Sequence, residues 1–469
     1  LRTKKTVLSG SNTPQMGGSI RVPIDTYLIG SDGEACVIDP QLDTQHYLTL
    51  AGKHECRITT IIETHRNEDF ISGAVALANQ TGADIYHGKY ADEPIEYARK
   101  AGNGDKFEIG KWTLEVIATP GHTKDSICVL AIDNEQDGQP IGVFTGDTLF
   151  VSEVGRTDFY PEEMEKMAGQ LYDSLQTLAN LGDDIIVYPA HGAGSVCGSG
   201  MAEREFTTIG IEKRQNPGYQ CTSKKAFIER KLKENHYIAP YFSKMEQSNV
   251  TGMDTPLPPV ACQKLAQDAQ SAWQKSAERP GVLIDVRSHA QFRDCHYPGS
   301  LNLPGGLLSA YGGWFLDYST PIALVADSHQ QATESSEQLW RMGYQQISGY
   351  LTMVPKPDTI EAYHRQHVNA VTADKVDERI RAPRANWQLL DVRKQEEVEN
   401  NEFDQAKHIY LGYLPEMCHQ LDKSRHYTLA CGSGKRATVA ASYLLAQGFE
   451  NVDVFIGSMQ AWQSYQQGA

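Results

Sequence analysis

The second half of the chain repeats itself, and this repeat restricts the fold more strongly than any other feature of the sequence. Leu283–Arg287 (L-I-D-V-R) returns about 105 residues later as Leu389–Arg393 (L-L-D-V-R). Ala332–Thr333 returns as Ala437–Thr438 at the same spacing. Each copy alternates strand-like and helix-like patterns over roughly 100 residues, which predicts two copies of a small α/β domain with a parallel sheet.

Both copies resemble the rhodanese family. That family's domain opens on a D-V-R motif of this kind, and Ala290–Pro304 is similar to its H-x-P-G-A-x-N-x-P stretch. Cys431–Arg436 (C-G-S-G-K-R) fits the family's C-x-x-G-x-R active loop. The resemblance implies that Cys431 is the reactive thiol and that Arg436 helps to stabilise its anion. A helix predicted to begin near Lys435 would favour a thiolate or a bound persulfide through the positive end of its dipole.

The first copy lacks this loop. When the two copies are aligned on the shared Ala-Thr pair, Ala326 stands opposite Cys431 and Gln331 opposite Arg436. Without a sulfur nucleophile there, the first copy cannot carry a persulfide, and we interpret it as an inactive rhodanese-like domain. Cys295, which lies earlier in the same copy, is interpreted as structural.

The first half of the chain carries metal-binding residue types next to apolar, strand-like runs. The motifs are Thr64–Phe70 (T-H-R-N-E-D-F), Gly121–Thr123 (G-H-T), Gly146–Thr148 (G-D-T) and Pro189–Gly192 (P-A-H-G). Strand ends hold such side chains at one rim of a sheet while the turns stay open to a substrate. The order and placement of the motifs therefore predict a single site at such a rim.

These motifs resemble those of the metallo-β-lactamase superfamily in order and spacing. Asn67 and Phe70 stand where that superfamily's T-H-x-H-x-D-H motif has its second and third histidines. The resemblance implies an αββα sandwich in which His65, His122 and Asp147 bind a metal ion. Two imidazoles and one carboxylate suit non-haem Fe(II). Because Phe70 offers no lone pair to a second ion, we expect one Fe(II) per chain.

Two further segments resemble the persulfide dioxygenases of the ethylmalonic-encephalopathy type, a mononuclear iron branch of the superfamily. Gly155–Phe159 is similar to that branch's G-R-T-D-F segment, and Glu212–Pro217 is similar to its E-x-R-x-N-P segment. From this resemblance Arg156 and Arg214 are candidate contacts for the carboxylates of a thiol such as glutathione. Cys197, six residues after the last motif histidine, is a candidate sulfur relay.

The other polar motif residues have supporting roles in this interpretation. Asp69 and His191 are expected to orient the metal ligands or a bound water through hydrogen bonds. The iron branch usually keeps a histidine at the position of Asn67 without using it on the metal, so this sequence departs from its nearest relatives there.

Together the resemblances imply a persulfide dioxygenase coupled to sulfur transfer. A low-molecular-weight persulfide would react with O2 to give sulfite and a thiol, and Cys431 would form or use thiosulfate, as in sulfide oxidation. Two alternatives remain open. One is a dinuclear zinc thioester hydrolase resembling glyoxalase II, and the other is a metal-free scaffold with rhodanese activity only.

Composition and length complete the expectations. We predict a metallo-β-lactamase-like domain over 1–244, a linker over 245–260, an inactive rhodanese-like domain over 261–365 and an active one over 366–469. The net charge of −16 argues against nucleic acid as a partner. Without a signal-like or membrane-spanning apolar run, and with nine cysteines in no disulfide-like pattern, a cytoplasmic location and no membrane partner are expected. We also expect a homo-oligomer.

Overall fold

A computed structural model describes residues 6–9, 25–135, 138–191, 204, 206–253, 262–265, 281–353, 366–382 and 385–468. The chain divides into two units, Leu1–Pro258 with Arg341–Gly343, and Pro259–Trp340 with Tyr344–Ala469. Cys197 and residues 254–260 of the predicted linker lie outside the described residues.

Two mixed sheets face each other in the first unit. The first has the strand order Thr6–Ser9, Tyr27–Ser31, Glu34–Ile38, Arg57–Glu63, Asp84–Gly88, Arg99–Ala101. The second has the order Thr207–Thr208, Ile186–Pro189, Gln139–Gly146, Ile127–Asp133, Trp112–Ala118, Lys106–Ile109. Because side chains alternate along a strand, Leu114 and Val116 enter the core between the sheets while Ile117 packs on the opposite face.

Helices cover the outer faces of both sheets. They are Thr44–Lys53, Ala74–Thr81, Met164–Ala179, Ile209–Gln215, Lys224–Lys231 and Phe242–Thr251, with a 3-10 turn at Pro161–Glu163. Leu171, Leu175 and Leu178 recur at helical spacing and pack on the second sheet. The layers form the expected αββα sandwich. Among the helices of the described ranges, none is long and apolar enough to cross a membrane.

The strand directions bring the predicted motifs to one rim. Trp112–Ala118 and Gln139–Gly146 both run antiparallel to Ile127–Asp133, and Ile186–Pro189 runs parallel to Gln139–Gly146. The carboxyl ends of these three strands therefore lie at the same edge of the second sheet. The Ile127 N–H donates to the Thr64 carbonyl at 2.8 Å, which brings the first motif to that edge as well.

The predicted linker is wrong over its first residues. Phe242–Thr251 is a helix, and Met245, Ser248 and Asn249 are buried on the first unit. The segment has few apolar residues, but the polar Asn249 is buried because its amide is hydrogen-bonded to the loop that follows His65. The polar composition therefore led to the wrong prediction for a helix that hydrogen bonds hold in place.

The second unit contains two parallel sheets with matching strand order. The first repeat has Leu301–Asn302, Val282–Asp285, Ile322–Val325, Ile347–Leu351, and the second has Lys407–His408, Trp387–Asp391, His426–Ala430, Val452–Phe455, Asn369–Val371. The helices of the first repeat are His289–Asp294, Gly306–Phe315 and His329–Arg341. Those of the second are Ala373–Arg381, Gln395–Asn400, Leu414–Met417, Lys435–Ala446 and Ser458–Gly468, with 3-10 turns at Leu411–Tyr413 and Cys418–Gln420. The repeat found in the sequence is thus a structural repeat.

The D-V-R motif has the same role in both repeats. Arg287 forms an ion pair with Asp285 and donates to the Cys295 carbonyl at 2.8 Å. Arg393 forms an ion pair with Asp391 and donates to the Asn401 carbonyl at 2.6 Å. In each case the buried arginine ties the end of the strand that carries the motif to the end of the following helix.

Candidate metal centre and reactive-cysteine loop

His65 lies directly after the strand Arg57–Glu63, and a hydrogen-bond chain fixes its ring. Asp39 accepts hydrogen bonds from the Thr64 N–H and the Thr64 hydroxyl, both at 2.7 Å. Since that hydroxyl proton points to Asp39, the oxygen accepts from His65 Nδ1, which lies 2.9 Å away. The Nε2 lone pair of His65 is then free to bind a cation.

His122 also has its Nε2 lone pair free, but a backbone carbonyl rather than a side-chain hydroxyl fixes its ring. Its Nδ1 lies 3.1 Å from the carbonyl oxygen of Arg156, which can only accept, so Nδ1 carries the proton. Gly121 before it has φ +144°, and a Cβ there would lie 2.4 Å from the backbone of Leu171. Glycine is therefore required for the turn that brings His122 to the site.

Asp147 follows the strand Gln139–Gly146 and lies between two histidines. Its Oδ2 is 3.5 Å from His122 Nε2, and its Oδ1 is 3.2 Å from His191 Nε2. Gly146 has φ +48°, and a Cβ there would approach the Thr64 hydroxyl to 2.5 Å. His65, His122 and Asp147 are all buried, with one candidate ligand atom each within 4.8 Å of the others.

The chemistry of this cluster fits a cation. His122 Nε2 and both carboxylate oxygens of Asp147 are buried without a hydrogen-bond partner in the described part of the chain. Burial lowers the pKa of His65 to about 3, so its imidazole is neutral. Burial also opposes ionisation of Asp147, but the charge interactions with the surrounding histidines, His191 first, outweigh it and hold the carboxyl pKa below its usual range. A neutral imidazole and an ionised carboxylate are the forms that bind divalent metals.

Asp69 and His191 lie beside this cluster. His191 Nε2 is 3.4 Å from Asp69 Oδ2, on the Oδ1 side of Asp147. Phe70 is buried next in sequence, and the ring of Phe150 packs edge-on to His191 at 5.8 Å between centroids. An apolar ring, that of Phe150, therefore borders His191 on this side of the site. Ligand orientation by Asp69 and His191 stays a prediction.

Glu68 also faces the site and was not singled out from the sequence. Its carboxylate is buried, with Oε2 3.6 Å from His122 Nε2 and 4.0 Å from His65 Nε2. Burial raises the pKa of Glu68 to about 7, against the opposing effect of His122. The available signal was a carboxylate inside the first motif, at a position where the superfamily pattern requires no particular residue.

The amide of Asn249 fixes the loop that carries these residues. Its Nδ2 donates to the carbonyls of Asn67 and Phe70 at 2.7 and 2.8 Å, and its Oδ1 accepts from the Ser72 N–H at 2.8 Å. Because these partners are 177 to 182 residues away in sequence, no local pattern could have revealed the contact.

The predicted substrate contacts occupy different environments. The Arg156 guanidinium is buried, forms two 2.7 Å hydrogen bonds to Asp158 and lies 4.7 Å from the centre of the Phe159 ring. These contacts stabilise the segment whose carbonyl accepts from His122. Arg214 is exposed on the helix Ile209–Gln215. Substrate binding by either arginine stays a prediction.

The active loop of the second repeat encloses a thiol. Cys431 follows the strand His426–Ala430, and its buried Sγ accepts a hydrogen bond from the Gly434 N–H at 3.1 Å. Gly434 has φ +92°, and a Cβ there would lie 3.2 Å from the backbone N of Gly457. The helix Lys435–Ala446 starts immediately after it, so its positive end lies at the sulfur.

Arg436 is held beside this loop by contacts from both repeats. Its guanidinium makes two 2.6 Å hydrogen bonds to Glu397, and it interacts with Tyr311 of the first repeat. Arg293, also of the first repeat, donates to the Thr438 hydroxyl at 2.9 Å on the following helix. The first repeat thus packs against the elements that position Cys431.

In the first repeat, the side chain of Gln331 closes the loop that matches the active loop. Gln331, which stands opposite Arg436, donates to the Val286 carbonyl at 3.0 Å and accepts from the Asp327 N–H at 2.8 Å. Ala326 directly follows the strand Ile322–Val325, as Cys431 follows the strand His426–Ala430 in the second repeat. This loop presents no sulfur.

Comparison with family models agrees with these two kinds of domain. The model of the metallo-beta-lactamase superfamily matches residues 20–191. The rhodanese-like domain model matches residues 268–352 and 372–465.

Individual relatives divide between two chemistries. The chain is similar to persulfide dioxygenase ETHE1, mitochondrial, of Bos taurus, at 31% identity over 174 residues, 35% of this chain and 63% of the relative. It is similar to hydroxyacylglutathione hydrolase of Rhizobium etli, at 30% identity over 201 residues, 36% of this chain and 72% of the relative. A solved metallo-beta-lactamase from Staphylococcus aureus subsp. aureus COL has 28% identity and a TM-score of 0.64, covering 74% of this chain and 98% of its own. The chain thus spans less than two thirds of the Bos taurus protein.

Proposed function

Because this chain belongs to the metallo-β-lactamase superfamily and carries tandem rhodanese-like domains, we propose that it is a persulfide dioxygenase coupled to a sulfurtransferase. The observation that carries the proposal is the buried cluster of His65, His122 and Asp147, whose ligand atoms face one another. The relative named as a persulfide dioxygenase supports it, as does the thiol of Cys431 at the start of a helix.

His65, His122 and Asp147 would hold one Fe(II) per chain. Two imidazoles and one carboxylate suit ferrous iron and leave positions for small ligands. When bound, iron supplies the site at which O2 and the terminal sulfur of a persulfide react. The balanced reaction is R–S–SH + O2 + H2O → R–SH + sulfite + 2 H⁺.

The protein's own groups prepare this site. Thr64 and the Arg156 carbonyl hold the Nδ1 protons of His65 and His122, so each ring keeps its Nε2 lone pair for the metal. Phe159 packs edge-on to His122 at 5.2 Å between ring centres, and Phe150 packs edge-on to His191 at 5.8 Å. Such apolar rings exclude bulk water, which strengthens the electrostatic contacts inside.

Cys431 would exchange the sulfane sulfur. A persulfide on its Sγ can pass the outer sulfur to sulfite, giving thiosulfate and the free thiol: Cys–S–SH + SO₃²⁻ → Cys–SH + S₂O₃²⁻. The Gly434 N–H and the helix N-terminus stabilise the sulfur anion in either direction.

Metal content and product analysis test the proposal together. After anaerobic reconstitution we expect about one iron per chain, oxygen uptake with low-molecular-weight persulfides, and sulfite or thiosulfate as the product. Retention of less than about 0.2 iron per chain, or no oxygen uptake with any persulfide of a panel, would contradict it.

A thioester hydrolase is the second candidate. The hydroxyacylglutathione hydrolase relative favours it. So does the position of His191 Nε2, which lies 3.4 Å from Asp69 Oδ2 and 3.2 Å from Asp147 Oδ1. About two zinc ions per chain, with cleavage of glutathione thioesters and no oxygen uptake, would establish this function instead.

A further inference from the structure

The motif that lost a histidine at Asn67 has gained a buried carboxylate beside it. Glu68 is 1% exposed, and its Oε2 lies 3.6 Å from His122 Nε2 and 4.0 Å from His65 Nε2. Those two nitrogens are the atoms that the proposed metal site uses. The carboxylate therefore points into the site from the same loop that carries His65.

The second oxygen of this carboxylate lacks a partner. Glu68 Oε1 is buried without a hydrogen bond to any group in the described ranges. A buried carboxylate that is incompletely paired is destabilising unless a cation or several donors compensate it. His122 Nε2, at 3.6 Å, is farther from Glu68 Oε2 than in a charge-assisted hydrogen bond.

Two of the distances are close to those between ligands that share an ion. Donor atoms that each lie about 2.1 Å from one metal are roughly 3 to 3.4 Å from each other. Glu68 Oε2 exceeds that spacing by only a few tenths of an ångström from His122, and by somewhat more from His65. Glu68 stands outside the group of ligand atoms that lie within 4.8 Å of one another, so its carboxylate would have to turn towards Asp147 to share the ion.

We propose that Glu68 is a fourth protein ligand of the metal, beside His65, His122 and Asp147. This rests on the proposed metal function of the cluster. Asn249 holds the carbonyls of Asn67 and Phe70, on either side of Glu68, and so fixes the backbone from which Glu68 reaches inward. The site then has two imidazoles and two carboxylates, which balance the charge of a divalent ion.

Four protein ligands also define the chemistry that the site allows. Four protein ligands would leave a bound ion fewer exchangeable positions than three, but still enough for a persulfide sulfur and O2. Carboxylates are hard oxygen donors, so two of them favour Fe(II) or Mn(II) over metals that prefer sulfur ligands.

Cobalt titration of the full-length metal-free protein tests this proposal. Co(II) is added anaerobically, and its visible absorption reports both affinity and coordination. For Glu68→Gln we expect about tenfold or greater loss of Co(II) affinity and a changed spectrum, because a charged ligand becomes a weak neutral one. For the matched control Asn67→Ala, in the same loop, we expect affinity within about threefold of the parent protein and an unchanged spectrum.

Thermal unfolding separates ligation from a structural role. The gain in melting temperature on adding Co(II) should shrink in Glu68→Gln, whereas the metal-free protein should be no less stable, since a buried charge has been removed. If Glu68→Gln does not fold, Glu68→Met replaces the carboxylate by an apolar side chain of similar size.

The outcomes distinguish the two proposals. If the parent protein takes up no Co(II), the metal function fails and with it this one. If the parent binds Co(II) and the Glu68 variants bind it with the same affinity and spectrum, Glu68 is not a ligand and the three-ligand site stands.

Discussion

At the scale of single residues, the site depends on where two protons are held. His65 donates Nδ1–H to Thr64, which in turn donates to Asp39, and His122 donates to a backbone carbonyl. Both imidazoles thereby present Nε2 to the same point. His65 and His122 were identifiable from the motifs, but Asp39 was not, because its role depends on a contact with a strand end 25 residues away.

Thr64→Val tests the orienting hydroxyl. Valine keeps the shape of threonine but cannot accept from His65 or donate to Asp39. We expect metal affinity to fall by about 10- to 100-fold, as for other residues that orient metal ligands. Competition with a chromophoric chelator measures this, with Thr64→Ser as the control that keeps the hydroxyl. Equal affinities of the valine and serine variants would show that the hydroxyl does not orient His65.

At the scale of elements, the strands beside the functional motifs were predicted correctly, because they follow from local sequence patterns. Each motif was expected beside a strand-like run, and the strands Arg57–Glu63, Trp112–Ala118, Gln139–Gly146 and Ile186–Pro189 lie there. The helix Phe242–Thr251 was missed, since it has few apolar residues and its burial depends on Asn249 reaching a loop that is distant in sequence. Helices of this kind are specified by tertiary hydrogen bonds rather than by periodicity.

Asn249→Ala tests that helix as a support for the metal loop. It removes three buried hydrogen bonds and leaves the carbonyls of Asn67 and Phe70 without this donor. We expect a loss of about 2 to 4 kcal/mol in the free energy of unfolding, together with weaker metal binding. Chemical denaturation and chelator competition measure the two effects. Gln247→Ala, on the exposed side of the same helix, should change neither, and equal behaviour of the two variants would contradict the role of Asn249.

At the scale of the whole molecule, one repeat carries the thiol and the other supports it. The position that matches Gly434 in the first repeat is His329, where the helix His329–Arg341 already begins, and Gln331 closes the loop by bonding to Val286. A β-carbon at Gly434 would crowd the backbone near Gly457, at a backbone angle of +92° that favours glycine. The absence of a sulfur nucleophile in the first repeat could therefore be predicted from the sequence. The packing of the first repeat against the helix that follows Cys431 could not.

Cys431→Ser tests whether the metal centre and the thiol are separate functions. Serine keeps the Gly434 hydrogen bond but cannot carry a sulfane sulfur, so thiosulfate turnover should be lost by about 100-fold or more. Oxygen uptake with a supplied persulfide should stay within about twofold, because none of the candidate metal ligands is touched. Cys418→Ser removes a half-buried thiol from the same repeat and should leave both rates unchanged. Parallel loss of oxygen uptake and thiosulfate turnover in Cys431→Ser would mean that the persulfide must pass through Cys431 before it is oxidised, and the two sites would then form one obligatory path.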